Sequence, residues 1–360
     1  MQERECLELN SPKPRRWWLS SHPLYVFVPI SIVLSLLHFD PLWVFVSAIL
    51  AILPVTSLIA RTTEEIAQRI GTAAGSLFSV TFGNAIELLI AILAIREGLV
   101  EMVKAALVGS IVLNILSIVG LSIFFGGLKY REQHFNQGSV GVASTMLLIA
   151  VTGLVLPTIY SVLTGRETVL MSYAVAITLG ITYVLSLVFV LVTHKHLFKA
   201  VRDACEVYTW GMKKAALGLT LGVVLAAIES DILVSVLRPM LALTGLHEAF
   251  VGLVVIAILT NIPEHLAAIR YALRDNVTLS LEIGMNSATQ IALFVAPVLV
   301  FVSPLVGGTL TLSFAPFQMI ALILAVMIIN YLGSDGVCNW LEGVQLVAVY
   351  LIIAIAFFFV

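Results

Sequence analysis

The fragments Asn84-Ala85-Ile86-Glu87 and Asn261-Ile262-Pro263-Glu264 are two short polar interruptions of segments that are otherwise apolar. The asparagines and the glutamates of the two fragments are both 177 positions apart (261 − 84 and 264 − 87), and a serine follows each glutamate 23 positions later, at Ser110 and Ser287. A carboxylate at the centre of a bilayer costs roughly 2.5–3.5 kcal/mol on insertion scales. Two carboxylates at equivalent positions predict one polar site that is built at the interface between two repeats.

The composition of the 360 residues predicts a membrane protein that crosses the bilayer many times. Hydrophobic residues make up 60% and charged residues 11%, which is more apolar surface than the core of a soluble domain can bury. There is no basic patch with interleaved aromatic residues of the kind that binds nucleic acid. The three cysteines are odd in number and have no CxxC spacing, so they predict neither a disulfide framework nor a zinc site.

About eleven segments approach the roughly 20 apolar residues that a membrane-spanning helix needs, the first being short. The basic stretch before the first span is similar to the start of a signal peptide. The apolar run after it leads into His38-Phe39-Asp40-Pro41 instead of a small-residue cleavage site, so we expect a retained helix. The predicted spans are 23–37, 41–60, 77–96, 101–125, 138–160, 168–192, 212–236, 247–273, 278–301, 313–332 and 340–360.

The loops between the spans predict the orientation of the chain. With the N-terminus in the cytoplasm, fifteen of the nineteen Lys and Arg residues lie on the cytoplasmic side, which is a strong positive-inside bias. An odd number of spans then places the C-terminus outside. Short loops and the lack of a regulatory tail favour a prokaryotic cell membrane over a vacuole. The four basic residues on the outer side are Arg96, Lys104, Arg166 and Arg238.

The predicted fold class is an all-α polytopic membrane protein with two inverted five-helix repeats and an extra N-terminal helix. Spans two to six and seven to eleven form two groups of five. Because five is odd, the second group crosses the membrane in the opposite direction, as in many secondary transporters. The expected organisation is a tail with the extra helix at 1–40, a first repeat at 41–193, a short basic cytoplasmic linker at 194–211 and a second repeat at 212–360.

Each polar fragment predicts half of a cation site with Glu87 and Glu264 as metal ligands. Asn84 lies three residues before Glu87, and Asn261 lies three before Glu264, so each pair shares one face of a helix. Carboxylate and amide oxygens suit a hard cation such as Ca²⁺, which takes six to eight oxygen ligands. Polar side chains that merely link helices are the alternative, which we favour for an isolated serine but not for a repeated glutamate–asparagine pair. Further candidate ligands are Ser110, Asn114, Ser287 and Gln290, and candidate helix breakers are Gly71, Gly75, Gly83 and Pro263.

Other polar residues within the spans leave two interpretations open. Glu229 and Asp231 are two residues apart and therefore face different sides of the seventh span. One interpretation is a proton relay or a supporting role for the site, and the other is that they are interfacial carboxylates near the end of a helix. His265 is suited to hand protons to Glu264 and equally to hydrogen-bond a neighbouring helix. Glu282, near the start of the ninth span, is expected to be structural.

These motifs resemble the cation/Ca²⁺ exchanger superfamily, and within it the H⁺/Ca²⁺ antiporter (cation/proton exchanger) branch. The stretch Gly83-Asn84-Ala85-Ile86-Glu87-Leu88 is similar to the branch motif G-N-A-x-E-L, residues 261–265 to N-x-x-E-H, and residues 287–291 to S-A-T-Q-I. The resemblance spans nearly the whole chain. It implies ten helices in two inverted repeats plus one N-terminal helix. It also implies Glu87 and Glu264 as ion ligands, aided by Asn84, Asn261, Ser110, Ser287 and Gln290.

Three positions depart from the branch pattern. Thr260 stands where the branch has glycine, Ile262-Pro263 stands where it has small residues, and Asn286 replaces another glycine. The Thr-x-x-Pro-Glu string is more similar to the Na⁺/Ca²⁺ exchanger branch. The acidic stretch that some relatives carry in the central loop is absent from this sequence.

The resulting hypothesis is secondary antiport of Ca²⁺, or a similar divalent cation, for H⁺. Two nearby carboxylates balance the charge of the cation, and their mutual repulsion favours protonation once the cation has left. Na⁺-coupled exchange and a passive cation channel remain alternatives, whereas an enzyme is disfavoured because no usable catalytic set is present. We expect no cofactor, and the expected partners are the transported ions and the lipid bilayer; the question of a homo-oligomer stays open.

Overall fold

The computed structural model describes residues 22–70, 72–166, 168–194 and 210–359. Within these residues the chain is almost entirely helical, and helices lie at the positions of the predicted spans. In chain order they are α1 Pro23–Leu36, α2 Pro41–Ala67, α3 Thr72–Gly83, α4 Ala85–Arg96, α5 Val100–Tyr130, α6 Gln137–Thr164, α7 Val169–Thr193, α8 Met212–Thr244, α9 Glu248–Thr260, α10 Ile262–Ala272, α11 Val277–Val306, α12 Pro316–Leu332 and α13 Trp340–Phe359.

By length and composition, seven of the described helices can cross a membrane, and the number rises to nine if each of two bent pairs is one span. The apolar part of α3 is bent by 49° relative to α4, and α9 is bent by 57° relative to α10. Helices α1 and α12 are apolar but shorter, in the range of 10–17 residues. The chain is therefore a polytopic helical protein. The predicted total of eleven spans is reached only if α1 and α12 also cross the membrane.

The elements around the two polar fragments recur at the same offset as the fragments themselves. Helix α4 begins at Ala85 and α10 at Ile262, and α5 begins at Val100 and α11 at Val277; both pairs are 177 positions apart (262 − 85 and 277 − 100). A π-helical bulge follows in each of the latter two helices, at Leu113–Ile118 in α5 and at Ile291–Val295 in α11. Such bulges are frequent at functional sites, and they cannot be predicted from the hydropathy pattern.

Several helices extend past the predicted spans. Helix α2 continues to Ala67 instead of ending near residue 60. Several polar residues of its last turns are compatible with a helix because they find local partners. The Thr62 hydroxyl donates to the Leu58 carbonyl at 2.7 Å, and Arg69 pairs with the buried Glu65 carboxylate at 3.3 Å. The prediction ended the span too early because it counted only apolar residues.

Two short strands depart from the purely helical prediction. Strands β1 Glu132–His134 and β2 Val337–Asn339 pair antiparallel, with Gln133 opposite Cys338, and so join the loops that precede α6 and α13. Burial, with the nearby charges of Glu342 and Asp335, raises the pKa of the Cys338 thiol to about 12. The thiol therefore stays protonated and unreactive at neutral pH. Cys6 and Cys205 lie outside the described residues.

The bundle places α5 in its interior and α7 at its edge: 89% of the apolar stretch of α5 is buried, against 17% for α7. Helix α8 packs along α2, and α1 packs against α2. Helices α5 and α13 cross so closely that a Cβ added at Gly343 would lie 2.4 Å from the Phe124 nitrogen and 2.6 Å from the Gly120 oxygen. Contact between backbones at small residues is a common way of packing membrane helices.

We expect Gly343→Ala to destabilise the protein by about 1–3 kcal/mol, because the new methyl group overlaps the backbone of α5. The matched control is Gly141→Ala in α6, where an added Cβ meets nothing within 4 Å. Thermal unfolding of both variants in detergent measures the difference. Equal unfolding temperatures for the two variants would show that the α5–α13 crossing is not tightly packed.

Candidate cation site

Two asparagines form the breaks between α3 and α4 and between α9 and α10. Asn84 has φ −98° and ψ 18°, and Asn261 has φ −105° and ψ 15°, so neither is helical although both lie between helices. The Asn84 side-chain amide donates to the Val80 carbonyl at 2.8 Å, and that of Asn261 donates to the Ala257 carbonyl at 2.9 Å. The same two carbonyls also accept long backbone bonds from the N–H groups of Asn84 at 3.4 Å and Asn261 at 3.3 Å, so each side chain reinforces the last backbone bond before its break.

The breaks place both glutamates in the first turn of the helix that follows. Glu87 is in the first turn of α4 and Glu264 in the first turn of α10, where the helix dipole favours negative charge. The two are close enough for their charges to interact, and the Thr260 hydroxyl lies beside the Glu87 carboxylate. One oxygen of Glu264, Oε2, is buried with no hydrogen-bond partner in the described part of the chain. Gly83 ends α3 and Pro263 lies within the first turn of α10, so two of the four predicted breakers flank the asparagines.

Hydrogen bonds connect the two halves of the chain around these glutamates. Asn84 donates to Gln290 at 3.1 Å, Asn261 donates to Ser110 at 3.2 Å, and Asn114 donates to Ser287 at 2.8 Å. Each bond joins a residue of the first half to a residue of the second. The six predicted amide and hydroxyl side chains are therefore joined as three pairs, each of which crosses between the two halves, and we call these three pairs the polar cluster.

Two cavities of unequal size meet this cluster. A cavity of about 30 Å³, with room for one or two water molecules, is lined by Glu87, Ser110 and Thr260 among apolar side chains. A larger cavity of about 280 Å³, which we call the vestibule, is bounded by the end of α3, by Glu264 in α10 and by residues 279–290 of α11. The two glutamates therefore have different surroundings, and Glu264 is the one that faces the larger, more polar space.

The remaining predicted residues lie away from the two glutamates or support them. His265 bridges the Asn261 carbonyl at 2.8 Å and the Ser117 hydroxyl at 3.3 Å, which fixes the break against α5. Asp231 is exposed on α8. Glu229, two residues earlier, is fully buried, and neither residue lines the two cavities. Gly71 lies outside the described residues.

Glu229 is held by the N-terminal helix α1. The Ser31 hydroxyl lies 2.8 Å and 2.7 Å from the two carboxylate oxygens and 2.9 Å from the Val28 carbonyl. Ser31 and Glu229 both have 0% exposure. The sequence showed only an isolated serine in an apolar helix, and nothing local indicated that it would meet a carboxylate 198 positions away (229 − 31).

We expect Ser31→Ala to destabilise the protein by about 1–3 kcal/mol, because it removes the partner of a buried carboxyl group. The control is Ser47→Ala in α2, since Ser47 is also buried and donates within its own helix, to the Val44 carbonyl at 2.9 Å. The unfolding temperatures of the two variants provide the test. If Ser31→Ala lowered the unfolding temperature no more than Ser47→Ala does, this would contradict a stabilising contact between α1 and α8.

Among the described residues, no group of three or more His, Cys, Asp or Glu side chains is arranged to hold a metal ion. The oxygen atoms near the two glutamates belong instead to amides and hydroxyls. Such a set offers two negative charges and several neutral oxygens, which is the type of environment that a Ca²⁺ ion accepts.

The chain is similar in sequence and in structure to known cation exchangers. The family model described as sodium/calcium exchanger protein matches residues 41–192 and 214–359. A Ca²⁺/H⁺ antiporter of Synechocystis is 41% identical over 93% of this chain and 96% of its own length, and the Ca²⁺/H⁺ antiporter ChaA of Bacillus subtilis is 36% identical over 92% and 96%. The solved structure of the Ca²⁺/H⁺ antiporter protein YfkE superposes with a TM-score of 0.83 at 32% identity, covering 96% of this chain and 100% of that one.

Proposed function

We propose that this chain, which belongs to the sodium/calcium exchanger protein family, is a secondary antiporter that exchanges Ca²⁺ for H⁺ across a membrane. It is a multi-pass membrane protein, and relatives of similar length are named Ca²⁺/H⁺ antiporters. The observation that carries the proposal is that Glu87 and Glu264 each lie in the first turn after an equivalent helix break and are close enough for their charges to interact.

Charge balance supplies the coupling in this mechanism. The two glutamates carry two negative charges when ionised, which neutralises one divalent cation inside a low-dielectric bundle. When the cation leaves, the repulsion between the carboxylates favours their protonation. Because the cation and the protons bind the same oxygens, they exclude one another. This mutual exclusion is required if the protein is to exchange the cation for protons and not let either ion pass alone.

The asparagines supply neutral ligands in the same mechanism. Their side-chain nitrogens are engaged with the carbonyls of Val80 and Ala257, so the amide geometry leaves each Oδ1 atom available to a cation. The Asn114 Oδ1 atom is buried without a partner in the described residues, which adds a third amide oxygen at the edge of the site. Together with Ser110, Ser287 and Gln290, these groups suit a six- to eight-coordinate ion.

The proposed architecture is two inverted five-helix repeats preceded by α1. The common offset of 177 for α4 with α10 and for α5 with α11 supports it, as do the two separate segments matched by the family model. In this arrangement α2 and α8, which pack along one another, are equivalent helices and the candidates for sliding during transport. With the N-terminus in the cytoplasm, the vestibule opens to the cytoplasm and the small cavity lies on the outer side.

We expect proton-driven ⁴⁵Ca²⁺ uptake into proteoliposomes without Na⁺, and we expect Glu87→Gln or Glu264→Gln to reduce it by at least about tenfold. Each change removes one charge and weakens one ligand. The control Glu248→Gln alters a glutamate at the start of α9, away from the cavities, and should leave uptake unchanged. Uptake that persists in both variants would rule out the assigned site.

Na⁺-coupled exchange is the second candidate, and Thr260 with Pro263 is the observation that motivates it. The same vesicles distinguish the two. Uptake that starts only when a Na⁺ gradient replaces the pH gradient would assign the chain to Na⁺-coupled exchange, whereas Na⁺-independent uptake assigns it to H⁺ coupling. Ca²⁺ flux that never exceeds equilibrium under either gradient would indicate a channel.

The orientation predicts which loops a membrane-impermeant maleimide reaches in intact cells. In a background where Cys6 and Cys205 are serine, we expect Glu97→Cys, between α4 and α5, to be labelled from outside. Glu132→Cys, between α5 and α6, should react only after the membrane is permeabilised. Both positions are exposed. The reverse pattern would invert the proposed topology.

A further inference from the structure

The vestibule contains a third carboxylate that the exchange mechanism does not use. Glu282 lines the same 280 Å³ cavity as Glu264. It lies in the second turn of α11, which begins at Val277 with Asn276 as its N-cap. The sequence alone suggested a structural residue, but its surroundings do not provide what a structural carboxylate needs.

Glu282 is 1% exposed, and neither of its carboxylate oxygens has a hydrogen-bond partner among the described residues. The Ser139 hydroxyl lies beside it, yet that hydroxyl donates to the Asn136 carbonyl at 3.2 Å. No Lys or Arg lines the vestibule. A buried carboxyl group without a donor or a cation is costly, so its retention calls for a partner that the protein chain does not supply.

The face of α11 on which Glu282 lies leads to the central site. Glu282, Asn286 and Gln290 are spaced by four residues and therefore form one stripe, and all three line the vestibule. At 1.5 Å per residue the stripe is about 12 Å long. Its inner end, Gln290, accepts the hydrogen bond from Asn84, and Asn286 between them is exposed to the cavity.

We propose that Glu282 and the Asn286 side-chain oxygen form a second, outer site for a divalent cation in the vestibule. The site holds a partly hydrated ion on its path between water and the Glu87–Glu264 pair. One carboxylate and one amide provide few protein ligands, and the volume of the vestibule leaves room for the water molecules that complete the shell of a hard cation. The proposal rests on the Ca²⁺ exchange proposed above and adds a step to it.

The site is detected by ⁴⁵Ca²⁺ equilibrium binding to purified protein whose central site has been removed by Glu87→Gln and Glu264→Gln. We expect weak residual binding in that double variant, and we expect Glu282→Gln added to it to weaken the residual binding by at least about tenfold. Residual binding that does not change on addition of Glu282→Gln, or no residual binding at all, would overturn the proposal.

Transport gives an independent readout. In the otherwise wild-type protein, Glu282→Gln should raise the half-saturating Ca²⁺ concentration on the vestibule side by about tenfold, with the maximal rate retained. Glu282→Asp, which keeps the charge, should recover part of the affinity, and Glu248→Gln should have no effect. A half-saturating concentration equal to that of wild type would contradict the outer site, because a carboxylate that only packs would not change it.

The Glu282→Gln variant could fail to fold because Glu282 is buried. Asn286→Ala is therefore a second variant, since the Asn286 side chain is exposed. We expect a smaller rise in half-saturating Ca²⁺ of about threefold, as for the loss of one neutral ligand, and no rise would count against the site. The two proposals fail separately. A wild-type protein that moves no Ca²⁺ against H⁺ removes the exchange function, whereas normal wild-type exchange with unchanged Glu282 and Asn286 variants removes only the outer site.

Discussion

The constraint on which the site depends is that a helix broken at membrane depth must satisfy the carbonyls that it frees. Asn84 and Asn261 contribute to this by returning the side-chain nitrogen to a carbonyl of the preceding turn, whose backbone bond at the break is long, 3.4 Å and 3.3 Å respectively. The same interaction orients the amide oxygen, and the helix that begins after each asparagine carries the glutamate in its first turn. Without an amide at the break, neither the backbone nor the carboxylate would have a defined place.

The two halves are equivalent in sequence position but differ in how they pack around the two cavities. Gly109 precedes Ser110, and a Cβ there would lie 2.3 Å from the Leu253 oxygen; one at Gly252 would lie 2.3 Å from the Met102 oxygen. The backbones of α5 and α9 therefore touch beside the small cavity. The residue that precedes Ser287 is Asn286, which is exposed in the vestibule. A glycine allows closure at one end, and a side chain occupies the equivalent position at the other.

The positions of the helices and the pairing of the polar fragments could be predicted because both depend on local pattern. The apolar runs located the helices, and the repeated offset indicated that Asn84, Asn261 and their glutamates belong together. The contacts between Ser31 and Glu229, between His265 and Ser117, and along the β1–β2 ribbon could not be predicted, since each joins segments more than a hundred positions apart. Glu282 was assigned a structural role for the same reason: its lack of partners is visible only in three dimensions.

The structure also gives Thr260 a role that does not involve the coupling ion. In the sequence, this residue and Pro263 favoured Na⁺ coupling by resemblance. In the fold, the Thr260 oxygen accepts from the Asn261 amide at 3.1 Å, while its hydroxyl lies 3.2 Å from the Ile256 carbonyl. Pro263 lies in the first turn of α10, where a missing N–H costs nothing. Both residues thus stabilise the break, and a threonine needed to hold Asn261 in place is a physical alternative to a threonine selected as a Na⁺ ligand.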